Sequence, residues 1–144
     1  MASIVIKKMN LFLKTYYQEN IAQHLPCISS ATGEFLSFLV QLTHAKSILE
    51  VGTCIGYSTL WLAQQLQGSI VTFEIEKEKS EQTRKVFEQF CLPVKVITGD
   101  AKESLKKVSG NFDFVFIDAM KKEYLAYIKL IEPHLADKSV IVAD

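Results

Sequence analysis

The run Ser47-Ile-Leu-Glu-Val-Gly-Thr-Cys-Ile-Gly-Tyr-Ser-Thr-Leu-Trp-Leu-Ala63 reads as strand, loop and helix in direct succession. Ile48, Leu49 and Val51 are the short, partly β-branched apolar run of a strand buried on both faces. Gly52 and Gly56 then interrupt the pattern. From Tyr57 the apolar period lengthens, with Leu60, Ala63 and Leu66 at helical spacing, which predicts a helix beginning near Ser58 and ending at Gly68. The first amides of such a helix lack intrahelical partners and carry partial positive charge, so a polar or anionic ligand group would sit against the loop.

The glycine spacing narrows the ligand class. A dinucleotide fingerprint requires G-x-G-x-x-G, and a P-loop requires Gly-Lys-Ser/Thr; Glu50-x-Gly52-x-x-x-Gly56 is neither. It is a loop that admits a nucleoside-like ligand closely without a dedicated phosphate cradle. The pattern resembles motif I of S-adenosylmethionine-dependent methyltransferases. The longer phrase ILEVGTCIGYSTLWLA is similar, more narrowly, to the catechol and caffeoyl-CoA O-methyltransferase family and its bacterial relatives.

The rest of the chain reads as one domain, 1–144, with N-terminal helices over 1–45 and a cofactor-binding α/β core over 46–144. Sixteen basic and sixteen acidic residues give zero formal net charge, so no global electrostatic argument for nucleic acid exists. Cys27, Cys54 and Cys91 are far apart and suggest neither a zinc site nor a disulfide framework. No apolar run approaches the ~20 residues of a membrane span, and the first residues are ordered wrongly for a signal peptide. A soluble, cytoplasmic protein with no membrane partner is expected.

Val5, Met9, Phe12 and Tyr16 predict a first amphipathic helix. Phe35, Phe38, Leu39 and Leu42 predict a second over about 32–43, with Ser30 or Thr32 as its cap. Strands follow at Ser69–Glu76, Val94–Thr98, Phe112–Asp118 and Ser139–Asp144. Helices lie between them at about 77–90, 101–108 and from Tyr124 to Leu135, and Asp137-Lys138 forms a turn. The alternation implies a parallel sheet of about five strands with helices on both faces, a Rossmann-like class I methyltransferase fold by resemblance. Ligands of such sheets gather at the carboxyl ends of the strands, where Glu50 to Gly56, Glu74, Asp100, Asp118 and Asp144 all fall.

Glu74 lies 22 positions after Gly52, close to the spacing at which an acid accepts hydrogen bonds from ribose hydroxyls, with Glu76 its rival. Asp100 with Glu103 resembles a capping box. In similar methyltransferases a Gly-Asp-Ala here lines the adenine pocket, which implies Asp100 and Ala101. The resemblance further implies that Glu50, Gly52, Thr53, Gly56, Tyr57 and Ser58 hold the cofactor, with Ser58 and the helix amides at its carboxylate, and assigns Asp118 and Tyr127 to the same ligand.

The phrase FIDAMKKEYLAY is similar to the family's F-I-D-A-x-K-x-x-Y segment. It implies that Asp118 and Asp144 bind a divalent cation, Mg²⁺ or else Ca²⁺ or Mn²⁺, with hard oxygen ligands. Lys121 takes the place of the general base, its proton affinity lowered by the cation and by partial desolvation. The implied reaction is in-line displacement at the sulfonium methyl by a hydroxyl of a catechol-like small molecule. Relatives that methylate a hydroxylated uridine in tRNA supply an alternative acceptor, with Lys7, Lys8 and Lys14 as a local basic patch.

The family's metal-binding Asn would follow Asp144, where the chain ends. Its further helix and C-terminal antiparallel strand pair have no counterpart. The expectation is weak turnover with cofactor binding retained, and an open edge at strand five suited to a homo-oligomer or a completing chain. A truncated, non-catalytic cofactor-binding module is the other reading.

Overall fold

The computed structural model describes the backbone from Ala2 to Asp144 and the side chains from Ile6 onward. Helices α1 (Ala2–Ala22) and α2 (Ser30–Thr43) precede β1 (Ser47–Val51). Then come α3 (Tyr57–Ala63), β2 (Ser69–Glu74), α4 (Lys77–Gln89), β3 (Val94–Thr98), α5 (Ala101–Leu105), β4 (Phe112–Ile117), α6 (Tyr124–Ile131) and β5 (Leu135–Ala143).

All strand pairs are parallel, in the order β3-β2-β1-β4-β5. The chain moves outward from β1 to β2 and β3, then returns to place β4 on the other side of β1. That reversal opens a crevice at the carboxyl ends of β1 and β4, the place where open α/β sheets bind ligands. β1 is central because it is apolar on both faces: Ile48, Leu49 and Val51 are wholly buried. Ile48, Phe114 and Phe116 face a core shared with α1 to α4, and Leu49, Val51, Val115 and Ile117 face one shared with α5 and α6. The start of β1 is held by the Asp113 carboxylate, which accepts from Lys46 N at 2.9 Å and from Ser47 N at 3.0 Å.

The second helix forms where expected but turns its other face inward. Phe35, Phe38 and Leu42 are 54%, 54% and 61% exposed, while Gly33, Leu36, Ser37 and Val40 are buried. The face that carries Gly33 is turned inward because α2 lies close against α3: a Cβ built on Gly33 would stand 2.3 Å from the Trp61 indole. Gly33→Ala would raise helix propensity by up to about 1 kcal/mol. Overpacking at this distance costs about 1–3 kcal/mol, so net destabilisation is expected in urea unfolding. A more stable variant would refute the close-approach account.

Several expected boundaries move. The cap of α2 is Ser29, whose hydroxyl accepts from Thr32 N at 3.0 Å, rather than Ser30 or Thr32. In α1, Met9 and Leu13 are fully buried whereas Phe12 and Tyr16 are only partly so; Val5 lies outside the described side chains. Helix α3 stops at Ala63, and Gly68 serves instead where the chain passes the Lys46 carbonyl, 1.8 Å from a built Cβ. α5 ends at Leu105. α6 ends at Ile131, and Pro133 sits in a 3₁₀ turn, so Leu135 opens β5 instead of closing a helix. Asp137-Lys138 falls within β5 at the irregularity between the Phe112–Leu135 and Phe114–Val140 pairings. The outer side of β5 pairs with no strand among the described residues. No helix among the described residues is long and apolar enough to cross a membrane.

Candidate active site

A cavity of about 500 Å³ opens at the carboxyl ends of β1, β2 and β4. Of the residues singled out in the sequence, Gly52, Thr53, Tyr57, Ser58, Glu74, Glu76, Asp100, Ala101, Asp118 and Tyr127 line it; Glu50, Gly56, Lys121 and Asp144 do not.

Gly52 is the crossing point of the site. Its φ is +102°, and a Cβ there would lie 2.0 Å from the Asp118 carbonyl oxygen. Only glycine lets the loop after β1 touch the loop after β4, because both the torsion and the contact exclude a side chain. Gly52 and Thr53 both donate to the Phe73 carbonyl, at 3.1 and 3.0 Å, which also ties this loop to β2.

Glu50 sits beneath the loop, fully buried. Ser58 Oγ donates to its Oε1 at 2.6 Å; Thr59 and Thr72 hydroxyls donate to its Oε2 at 2.5 and 2.7 Å. Since the Thr72 proton goes to Glu50, the 2.6 Å contact between the Thr53 and Thr72 hydroxyls must have Thr53 as donor. Burial pushes the Glu50 carboxyl up, the three hydroxyls pull it back, and Asp118 adds to the rise. Ser58, its proton engaged, offers a cavity ligand only lone pairs, leaving the backbone amides as donors at this end.

Glu74 lines the cavity with both carboxylate oxygens oriented from behind. Oε2 accepts from Cys54 N at 2.7 Å and Oε1 from Glu76 N at 2.8 Å. Its rival Glu76 is exposed and paired with Lys79 at 2.6 Å. Asp100 does cap α5, accepting from Lys102 N at 2.8 Å, but Glu103 pairs with Lys106 at 2.7 Å, so no reciprocal capping box forms.

Asp118 is half-buried at the end of β4. Burial, and then the negative charge of Asp144, push its carboxyl up, with Lys121 acting against them. Asp144 is brought alongside by the bond from its N–H to the Ile117 carbonyl at 3.1 Å, and Tyr124 fixes its own carbonyl at 2.5 Å. A carboxylate whose proton affinity is raised by burial and by a neighbouring carboxylate is a donor that a hard dication would relieve. Among the described residues no group of three or more His, Cys, Asp or Glu gathers as a metal cluster. A cation that keeps several waters can be held by one or two carboxylates, so the pair fits Mg²⁺. Lys121 begins an exposed 3₁₀ turn, Lys121–Glu123, so the desolvation expected for it is absent from the free chain.

Sequence reasoning missed Glu123, which accepts from Lys102 Nζ at 2.7 Å and from the Tyr127 hydroxyl at 2.6 Å on the cavity wall. The i, i+4 spacing of Glu123 and Tyr127 was the available signal. Lys102 joins them only through the packing of α5 on α6.

The O-methyltransferase family matches residues 5–144. The chain is 36% identical over 125 residues to a catechol O-methyltransferase of Niastella koreensis, covering 81% of this chain and 57% of that protein. It is 36% identical over 130 residues to a catechol O-methyltransferase of Mycobacterium tuberculosis, covering 85% and 59%. The crystal structure of an O-methyltransferase from Bacillus cereus in complex with SAH superimposes with a TM-score of 0.84 at 38% identity, covering 92% of this chain and 64% of that one. The chain thus spans less than two thirds of the length of each of these relatives. With the parallel sheet, the β1 loop and the strand-end acids in place, the match over residues 5–144 means that this chain belongs to the O-methyltransferase family.

Proposed function

We propose that the cavity binds S-adenosylmethionine and that the chain carries the methyl-donor side of an O-methyl transfer to a hydroxyl of a catechol-like small molecule. The observation that carries this reading is the arrangement at Glu74. A cavity-facing carboxylate is held by two backbone N–H groups, one from the β1 loop and one from its own, as an acceptor for paired hydroxyls must be.

In this reading Glu74 receives the ribose hydroxyls, and Asp100, Ala101 and Tyr127 surround the base. Gly52, Thr53, Tyr57 and Ser58 take the amino-acid end, with Glu50 and Gly56 supporting them from behind. Holding the sulfonium methyl in line with the acceptor oxygen is the main contribution asked of these residues. Asp118 and Asp144 would hold the divalent cation, which supplies Lewis acidity that lowers the pKa of the acceptor hydroxyl. Lys121, in its neutral amine form, would take that proton as the oxygen–methyl bond forms and the sulfur–methyl bond breaks, the bond's electron pair staying on sulfur. The exposed edge of β5 is the place where a further copy or segment would complete the sheet.

Calorimetric titration with S-adenosylmethionine, with and without Mg²⁺, tests the reading. Binding is expected in both, and Glu74→Gln should weaken it about tenfold, the worth of a charge-assisted hydrogen bond. No heat of binding in either condition would refute the cofactor assignment.

A further inference from the structure

Lys102, Glu123 and Tyr127 form a bonded row at one end of the cavity. Lys102 Nζ donates to Glu123 Oε1 at 2.7 Å, and the Tyr127 hydroxyl donates to Oε2 at 2.6 Å. Glu123 and Tyr127 both line the cavity, together with Asp100 and Ala101. An ionised carboxylate has no proton to give, so a hydroxyl bonded to it must be the donor. The bonds from Lys102 and then Tyr127 hold the Glu123 carboxyl below the usual range, which keeps it ionised at neutral pH. Burial, followed by the charges of Glu123 and Asp100, pushes the Tyr127 phenol well up, so its proton stays in place. With that single proton committed to Glu123, the phenol oxygen has only lone pairs left for a ligand.

We propose that Glu123 is a positioning residue that turns the Tyr127 hydroxyl into a hydrogen-bond acceptor, and that this oxygen selects a 6-amino purine over a 6-oxo purine in the bound cofactor. The inference rests on the cofactor reading above. A 6-amino group brings an N–H to the waiting oxygen. A 6-oxo base brings a carbonyl to the same place, and two acceptors then face each other with neither satisfied. Sites built around a buried polar partner discriminate in this way because the wrong ligand leaves that partner unpaired.

The test is calorimetric titration of the whole chain with S-adenosylhomocysteine and with its 6-oxo counterpart, S-inosylhomocysteine, for the parent protein, Tyr127→Phe and Glu123→Gln. The parent should prefer the 6-amino ligand by about tenfold or more. Tyr127→Phe removes the oxygen. Glu123→Gln can donate to it, freeing the phenol proton toward the ligand. Both should shrink the preference severalfold, mainly by weakening the 6-amino ligand.

A purely structural role would lower both affinities together and keep their ratio, and that result overturns the proposal. Equal affinities in the parent overturn it without any variant. If the parent binds neither ligand, the cofactor reading fails and this inference falls with it, a result distinct from the others.

Discussion

Gly52→Val is expected to unfold most of the population or, if the chain still folds, to abolish cofactor binding. The first branch atom of any side chain would enter the Asp118 carbonyl at 2.0 Å, and the neighbour is backbone, which has no rotamer to escape into. The φ of +102° adds a torsional cost that a β-branched residue bears most heavily. Together these exceed about 3 kcal/mol, a large share of the ~5–15 kcal/mol that holds a domain of this size together. Urea unfolding monitored by circular dichroism gives the stability, and titration with S-adenosylhomocysteine gives the binding. A variant with parent-like stability and affinity would show that the β1 and β4 loops need not touch.

The second large effect belongs to Glu50. Glu50→Leu leaves the Ser58, Thr59 and Thr72 hydroxyls without their acceptor in a buried setting, at about 1–3 kcal/mol for each group that finds no other partner. A loss of about 3–5 kcal/mol is expected, with the start of α3 and the Thr53 side chain losing their support together.

Glu50→Gln keeps the shape and isolates the charge. Burial raises the folded-state value of Glu50 above the ordinary 4.5, so between the two values the folded state binds more protons than the unfolded state. Its contribution to stability is therefore fully present below 4.5 and is lost as pH rises through the folded value. The parent should gain on Glu50→Gln as the pH is lowered from neutral toward 4.5. A parent that loses stability relative to Glu50→Gln on acidification would contradict this sign.

Glu50 also marks the limit of reading strand-end acids as ligand groups. Its position at the end of β1 was legible, because Ile48, Leu49 and Val51 place it in a buried parallel strand. Its side chain points toward the α1 to α4 face, where three hydroxyls from α3 and β2 take up the carboxylate. Two of those hydroxyls are near in sequence, but Thr72 meets Glu50 only because β2 pairs with β1 at that register. Glu74 differs by standing one residue past the last β1–β2 pair, where the loop amides of Cys54 and Glu76 reach it and the cavity opens.

Sequence alone carried the alternation of strands and helices, the burial of β1 on both faces, and the gathering of Gly52, Glu74, Asp100 and Asp118 at one end of the sheet. These follow from period, turn residues and the handedness of parallel connections, which are properties of short stretches and their order. Only the tertiary structure decided which face of α2 is buried, since Phe35, Phe38 and Leu42 would have won on hydrophobicity and lost to the close approach that Gly33 permits. It also decided that Glu50 supports the loop from below, and that Lys102 closes a row with Glu123 and Tyr127. In each case the deciding contact joins elements far apart in the chain, and its energy depends on distances of a few tenths of an ångström that no local pattern encodes.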